Sequence, residues 1–254
     1  MTDQYLLSHE WLAEDLPTLT VARKGLPADA PLVIVVHGLG GRKERMLPGL
    51  YALAGTGCRA AAFDVQQHGE RPDASGREAR VQADFFGATN AMIDGTVSDI
   101  SRLLDALQPR RAAIHGISLG GYIAFAALLA EPRLQVASVA LGSPDWLGPL
   151  RRYGLGPGMP VYDLAASINP LGLLPSYLPP RPLLMLHGTL DEVVSADGVI
   201  ALEESLRPFY AAHPERLHLE LYAGLGHEYT DDMQRRTVEW MARFLVGEGG
   251  EALG

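Results

Sequence analysis

Along the chain, short runs rich in β-branched and small apolar residues alternate with longer stretches whose apolar positions recur every three or four residues. Residues 32–36, Leu-Val-Ile-Val-Val, are apolar without interruption between Pro31 and Gly38, the pattern of a strand buried on both faces. Residues 59–63, 112–115, 136–141 and 183–186 repeat that pattern, and each ends near a Gly, Asp or His. Residues 217–222 alternate apolar and polar, which predicts a strand with one wetter face, and residues 19–23 are expected as an early edge strand. Between these runs, Val97, Ile100, Leu103, Leu104 and Leu107 share one helical face before Pro109. Val199, Leu202, Leu206 and Phe209 form a second stripe, and Met233, Thr237, Trp240, Met241, Phe244 and Leu245 a third. Residues 118–130 are apolar almost all round, which predicts a buried central helix ending before Pro132. Strand–helix alternation of this kind implies an α/β fold: a mostly parallel sheet with helices on both faces.

Two stretches break the rhythm. Residues 69–76 are polar and turn-rich. Residues 143–180 are rich in Pro and Gly and scatter Trp146, Leu147, Tyr153, Leu155, Met159, Tyr162 and Tyr177 among them. So long a connection is expected to carry function or structure of its own, here a small cap. The expectation is one domain over residues 1–246 with a cap-like insertion at 143–180, followed by a disordered tail at 247–254.

Composition narrows the partners. With 254 residues, 47% hydrophobic and 20% charged, the chain is long enough for a large core. A net charge of −9 and the lack of any Lys/Arg-rich run argue against a nucleic-acid partner. The longest apolar stretch, around residues 122–130, is well short of the roughly 20 residues of a membrane span. Residues 1–5 lack the basic and apolar regions of a signal peptide, and Cys58 is the single cysteine, so a cytoplasmic, reducing location is expected. No His-Glu-x-x-His or Cys-x-x-Cys is present; neither a metal nor a cofactor is expected.

The chemistry concentrates at the carboxyl ends of the expected strands. Gly116-Ile117-Ser118-Leu119-Gly120 matches G-x-S-x-G, with a strand leading in and a helix leading out. A turn there exposes a serine hydroxyl at the sheet edge, and the glycines permit its tightness. The bland alternative is an ordinary helix N-cap. His37-Gly38-Leu39-Gly40-Gly41 follows the 32–36 strand and can aim backbone N–H groups at the same edge; Leu39 and Leu119 are the expected oxyanion donors. A nucleotide loop fits poorly, because Lys43 stands where G-x-G-x-x-G needs its last glycine. Asp191, in His187-Gly188-Thr189-Leu190-Asp191, and His227, in Gly224-Leu225-Gly226-His227, follow later strands and complete a Ser…Asp…His order. Asp145 is a rival acid. Of the other histidines, His37, His115 and His187 are expected to be structural and His9, His213 and His218 exposed.

Taken together, HGLGG, GISLG, HGTLDEVV and GLGH resemble the α/β-hydrolase superfamily over nearly the whole chain. The segment from Asp64 through His68 and Gly69 resembles the D-x-x-x-H-G turn of small bacterial carboxylesterases related to the dienelactone-hydrolase and prolyl-oligopeptidase branch, and residues 37–44 resemble its H-G-x-x-G-x-K-E form. The resemblance implies an α/β-hydrolase fold, a Ser118–Asp191–His227 triad, and Leu39 and Leu119 as oxyanion residues. Dienelactone hydrolases use a cysteine where Ser118 stands, which disfavours that activity. Asp64 and His68 either border the pocket or brace the loop beside the oxyanion hole; His68, Trp146 and Tyr162 are the pocket candidates. The expected function is a carboxylesterase acting on small or short-acyl esters. A peptidase, amidase or thioesterase would use the same residues, and a non-catalytic binding protein on the same fold is the alternative from another class. Oligomeric state is left open.

Overall fold

The structure, a computed structural model, describes residues 4–177 and 180–247, so residues 248–254 of the expected tail lie outside the described residues. Strands β1 (Tyr5–Leu12), β2 (Leu16–Arg23) and β3 (Leu32–Val36) come first, then α1 (Leu47–Ala54), β4 (Arg59–Phe63), α2 (Arg77–Ala83) and α3 (Phe85–Leu107). β5 (Ala112–Ile117), α4 (Leu119–Ala130) and β6 (Leu134–Ala140) form the centre. Helices α5 (Leu147–Arg152), α6 (Pro160–Ser167) and α7 (Pro170–Tyr177) precede β7 (Leu183–Gly188), α8 (Asp197–Leu206), β8 (Leu217–Tyr222) and α9 (Asp231–Met241).

These strands make an 8-stranded sheet in the order β1-β2-β4-β3-β5-β6-β7-β8. β1 and β2 pair antiparallel, β2 pairs antiparallel with β4, and every later pair is parallel. Alternation on β3 explains the uninterrupted apolar run. Leu32, Ile34 and Val36 face a cluster built with α3, α4, α7 and α8, while Val33 and Val35 face one built with α1 and α9. The whole of β3 is at most 3% exposed.

The expected edge strand at 19–23 lies one place inward. β1 covers it, residue against residue, from Tyr5↔Arg23 to Leu12↔Leu16. The expected cap is also smaller than 143–180. Parallel strands need a crossover that returns to the far end of the sheet, and α7 makes it: Leu174 is fully buried in the α3–α4–α8 cluster. Only α5 and α6 remain as an excursion at the carboxyl edge. Its two ends are tied together, because Trp146 N–H donates to Asn169 Oδ1 at 3.0 Å and Leu171 N–H donates to the Pro144 carbonyl at 3.0 Å.

Candidate active site

The parallel strands deliver their carboxyl ends to one edge, and there the chain places the expected residues. Ser118 sits between β5 and α4 with φ 55° and ψ −117°, a conformation that costs a non-glycine residue energy. Its neighbours make the turn possible. A Cβ on Gly116 would lie 2.0 Å from the Gly120 carbonyl oxygen, and one on Gly120 would lie 2.1 Å from the Val36 carbonyl oxygen. Both glycines of the motif are therefore demanded by backbone approach.

His227 Nε2 lies 2.9 Å from Ser118 Oγ, and His227 Nδ1 lies 2.7 Å from Asp191 Oδ2. With Nδ1–H donating to the carboxylate, Nε2 is left to accept the serine proton. The Asp191 carboxylate is fully buried, and its Oδ1 accepts the Val193 and Val194 N–H groups at 2.9 and 2.8 Å. The acid and histidine loops are stitched to each other: Leu190 N–H donates to the Leu225 carbonyl at 2.9 Å, and Gly224 N–H to Thr189 Oγ1 at 2.9 Å. A Cβ on Gly188 would lie 2.3 Å from the Leu225 carbonyl oxygen, so this contact also requires glycine. Asp145 is used elsewhere, accepting the Leu147 N–H at 3.0 Å at the start of α5. The structure thus brings Asp191, not Asp145, to His227.

The Leu39 turn packs directly on the serine. A Cβ on Gly38 would stand 3.2 Å from Ser118 Cβ and 3.2 Å from the Ile117 carbonyl oxygen. Leu119 is the first residue of α4, so its N–H has no partner within that helix. A buried polar scaffold supports the turn. His68 Nε2 accepts the Gly40 N–H at 3.0 Å, while its Nδ1 lies 2.9 Å from the Gln66 carbonyl. His37 Nε2 accepts the Val65 N–H at 3.1 Å, and its Nδ1 donates to the Gly38 carbonyl. Each imidazole accepts an N–H at Nε2 and is therefore neutral, and burial lowers both, His37 to about 4. The Asp64 carboxylate accepts the Lys43 and Glu70 N–H groups at 3.0 Å each and the Lys43 ammonium at 2.9 Å. Burial would raise this carboxyl, but those bonds outweigh it and hold it below the usual range. Lys43 Nζ also lies 2.8 Å from Glu44 and 2.7 Å from Glu70, and these partners raise it against the opposing effect of burial.

His68 is therefore corrected from pocket candidate to brace, since it is fully buried with both ring nitrogens on backbone groups. Trp146 is half-buried against the sheet-face cluster, and the Tyr162 hydroxyl accepts from Arg151 Nε at 3.3 Å. Neither lines the cavity of about 250 Å³ beside the turn, whose walls are Leu39, Gly40, Arg77, Glu78, Val81 and Gln82. That α2 wall had no signal in the sequence, because α2 buries none of its residues and shows no apolar stripe. His37, His115 and His187 each bond a backbone carbonyl, and His9, His213 and His218 are exposed, as expected. Among the described residues, no group of His, Cys, Asp and Glu could hold a metal ion, and no helix is long and apolar enough to cross a membrane.

A family model described as "alpha/beta hydrolase fold" matches residues 31–154. The chain has the α/β-hydrolase fold. It is similar to a Bacillus subtilis (strain 168) protein named "Putative esterase YitV", at 27% identity over 233 residues, covering 85% of this chain and 89% of that protein. The solved structure of TT1662 from Thermus thermophilus superposes with a TM-score of 0.74 at 24% identity, covering 96% of this chain and 99% of that one. A cold-adapted esterase from an Arctic intertidal metagenomic library superposes at TM-score 0.62 and 20% identity, covering 95% of this chain and 94% of its own. The Pyrococcus furiosus esterase Pf2001 gives 0.61 at 16%, covering 95% and 93%. These likenesses support the superfamily that the four motifs resemble and a hydrolase of this fold, with esterases among its relatives.

Proposed function

We propose that this α/β hydrolase is a serine carboxylesterase with Ser118 as nucleophile, His227 as general base and acid, and Asp191 as the carboxylate that orients His227. The observation that carries this reading is the continuous Ser118 Oγ–His227–Asp191 hydrogen-bonded chain at 2.9 and 2.7 Å, set on a strained strand-to-helix turn. In the proposed reaction, Ser118 Oγ attacks the ester carbonyl carbon as its proton passes to His227 Nε2. The carbonyl oxygen becomes an oxyanion and accepts from the Leu39 and Leu119 N–H groups, each such donor contributing about 3–4 kcal/mol. The C–O bond breaks, and the leaving alkoxide takes the proton from His227. Water, deprotonated by His227, then attacks the acyl carbon and releases the carboxylic acid and free Ser118.

Small or short-acyl esters are the substrates we favour, because α5 and α6 form only a small cap at this edge. The Asp64–His68–Gly69 turn, with its Lys43 partner, supports a place near the dienelactone-hydrolase-related carboxylesterases. Buried Cys58 suits a reducing compartment, and on that ground we place the protein in the cytoplasm. A serine-directed fluorophosphonate should label the wild type and not Ser118→Ala, and Ser118→Ala should lose at least about 10⁴-fold in kcat on short esters. Full esterase activity in Ser118→Ala would overturn the assignment. A panel of graded acyl esters, a thioester and a peptide amide sets the substrate class; preference for long acyl groups or for the amide would overturn the short-ester reading.

A further inference from the structure

Behind Ser118, polar groups of β5, β6, α9 and the segment before α9 gather within hydrogen-bonding reach. His115 stands on β5, three residues before the serine. Its Nδ1 lies 3.2 Å from the Ser138 carbonyl on β6, and its Nε2 lies 3.1 Å from the Tyr229 hydroxyl. Burial lowers this imidazole to about 4, so it is neutral. Nδ1–H must face the carbonyl, which makes Nε2 an acceptor and the Tyr229 hydroxyl its donor. Thr237 Oγ1 of α9 lies 2.9 Å from Ser138 Oγ. A hydrogen bond such as that between Tyr229 and His115 is strengthened by the low-dielectric interior.

Tyr229 is two residues past His227, and the segment between β8 and α9 that holds both has no helix or strand. On its upstream side this segment is fastened to the acid loop through Leu225 and Gly224. On its downstream side the Tyr229 hydroxyl is fastened to β5, the strand that delivers Ser118. The tyrosine packs against the cluster built with α1 and α9 and borders a cavity of about 110 Å³ lined also by Val35, Met46, Ile117 and Thr237.

We propose that Tyr229 is a positioning residue, whose hydroxyl, held by His115, sets His227 at its distance from Ser118. This rests on the esterase reading above. Without the hydroxyl, the tyrosine ring keeps only its packing, with the cavity beside it to move into, and the histidine loop loses its downstream hydrogen bond. Tyr229→Phe should lower kcat on a short ester by about 10–100-fold, the scale of a displacement of up to 1 Å, with KM kept within about twofold. The rate of fluorophosphonate labelling should fall by the same factor. His115→Leu should do likewise, and the double variant should be no slower than the worse single one, since both cut the same link. Ser138→Ala keeps the backbone carbonyl and the Tyr229–His115 bond, so it should lose stability while keeping kcat.

Full kcat and full labelling rate in Tyr229→Phe would overturn the proposal. So would a kcat loss in Ser138→Ala as large as that in Tyr229→Phe, which would mark a general effect of stability. A wild type that is not labelled at Ser118 would instead sink the esterase reading. In that case the His227–Asp191 proton signal in the NMR spectrum still decides the positioning claim: it should shift or broaden in Tyr229→Phe, and an unchanged signal refutes it.

Discussion

Gly120→Ala is a sharp test of how the site is built, because one methyl group meets only backbone. Its Cβ would stand 2.1 Å from the Val36 carbonyl oxygen, 2.7 Å from the Val36 carbonyl carbon and 2.9 Å from the His37 carbonyl oxygen. None of these atoms is the end of a flexible side chain, so no rotamer change relieves the contact. Restoring ordinary van der Waals distance requires about 1 Å of movement between the start of α4 and the end of β3. Those two segments carry Leu119 and Leu39, whose N–H groups are the proposed oxyanion donors. The substitution therefore separates the donors from each other and from the serine between them. Overpacking of this size costs about 1–3 kcal/mol of stability. A misplacement near 1 Å lowers the rate about 10²-fold, comparable to the loss of a single oxyanion donor. The assay is kcat and KM on a short ester beside a guanidinium unfolding curve. Gly172→Ala, where a Cβ meets nothing within 4 Å, is the control and should leave kcat unchanged. Gly120→Ala with kcat within about twofold of wild type and an unshifted midpoint would refute the reasoning that ties the motif's last glycine to the donors.

Two further outcomes follow from the buried charges. Lys43→Met should cost about 3–5 kcal/mol in a denaturant titration, because it leaves the fully buried Asp64 carboxylate without its ammonium partner; a change below about 1 kcal/mol would show that the backbone N–H groups suffice. Glu131 accepts three hydrogen bonds from Arg133, which lower its carboxyl to about 2, so its contribution to stability is full above the ordinary glutamate range and is lost as pH falls towards about 2. Glu131→Gln should therefore unfold earlier than wild type in guanidinium at neutral pH, with the gap closing as pH falls through that window; a gap independent of pH would contradict the linkage.

What the residues alone disclosed depends on how each element is buried. The strands at 32–36, 59–63 and 217–222 have the expected bounds, because a strand covered on both faces, or on one, leaves a direct apolar imprint. β1 left none. Its Leu6, Leu7 and Trp11 are about half exposed, so there is no buried face for its sequence to encode, and it is held by ladder bonds to β2. The α3 stripe is legible from Val97 onward, but the helix begins at Phe85, where Gly87, Thr89 and Gly95 interrupt the apolar period. α2 has no fully buried residue, only Val81 half-buried against the core, and the wall it supplies beside Leu39 was equally silent. At the site, Ser118, Asp191 and His227 were legible because each follows a strand at a glycine-flanked turn. The Lys43–Asp64 pair and the Tyr229–His115 link were not, because a lone tyrosine or lysine does not declare its partner when that partner lies 114 or 21 residues away.

The hydrogen bonds from Trp146 to Asn169 and from Leu171 to Pro144 close a neck at the base of the α5–α6 excursion. The stretch above that neck behaves as a cassette. It leaves the framework and rejoins it at nearly the same point, after β6 and before the crossover α7, and it lies outside the turns that hold Ser118, Asp191 and His227. Because the ends are already held together, lengthening the cassette adds only the slow logarithmic increment of loop entropy. Residues 147–168 are thus the place where chain can be exchanged, shortened or grown while the reacting atoms stay in register.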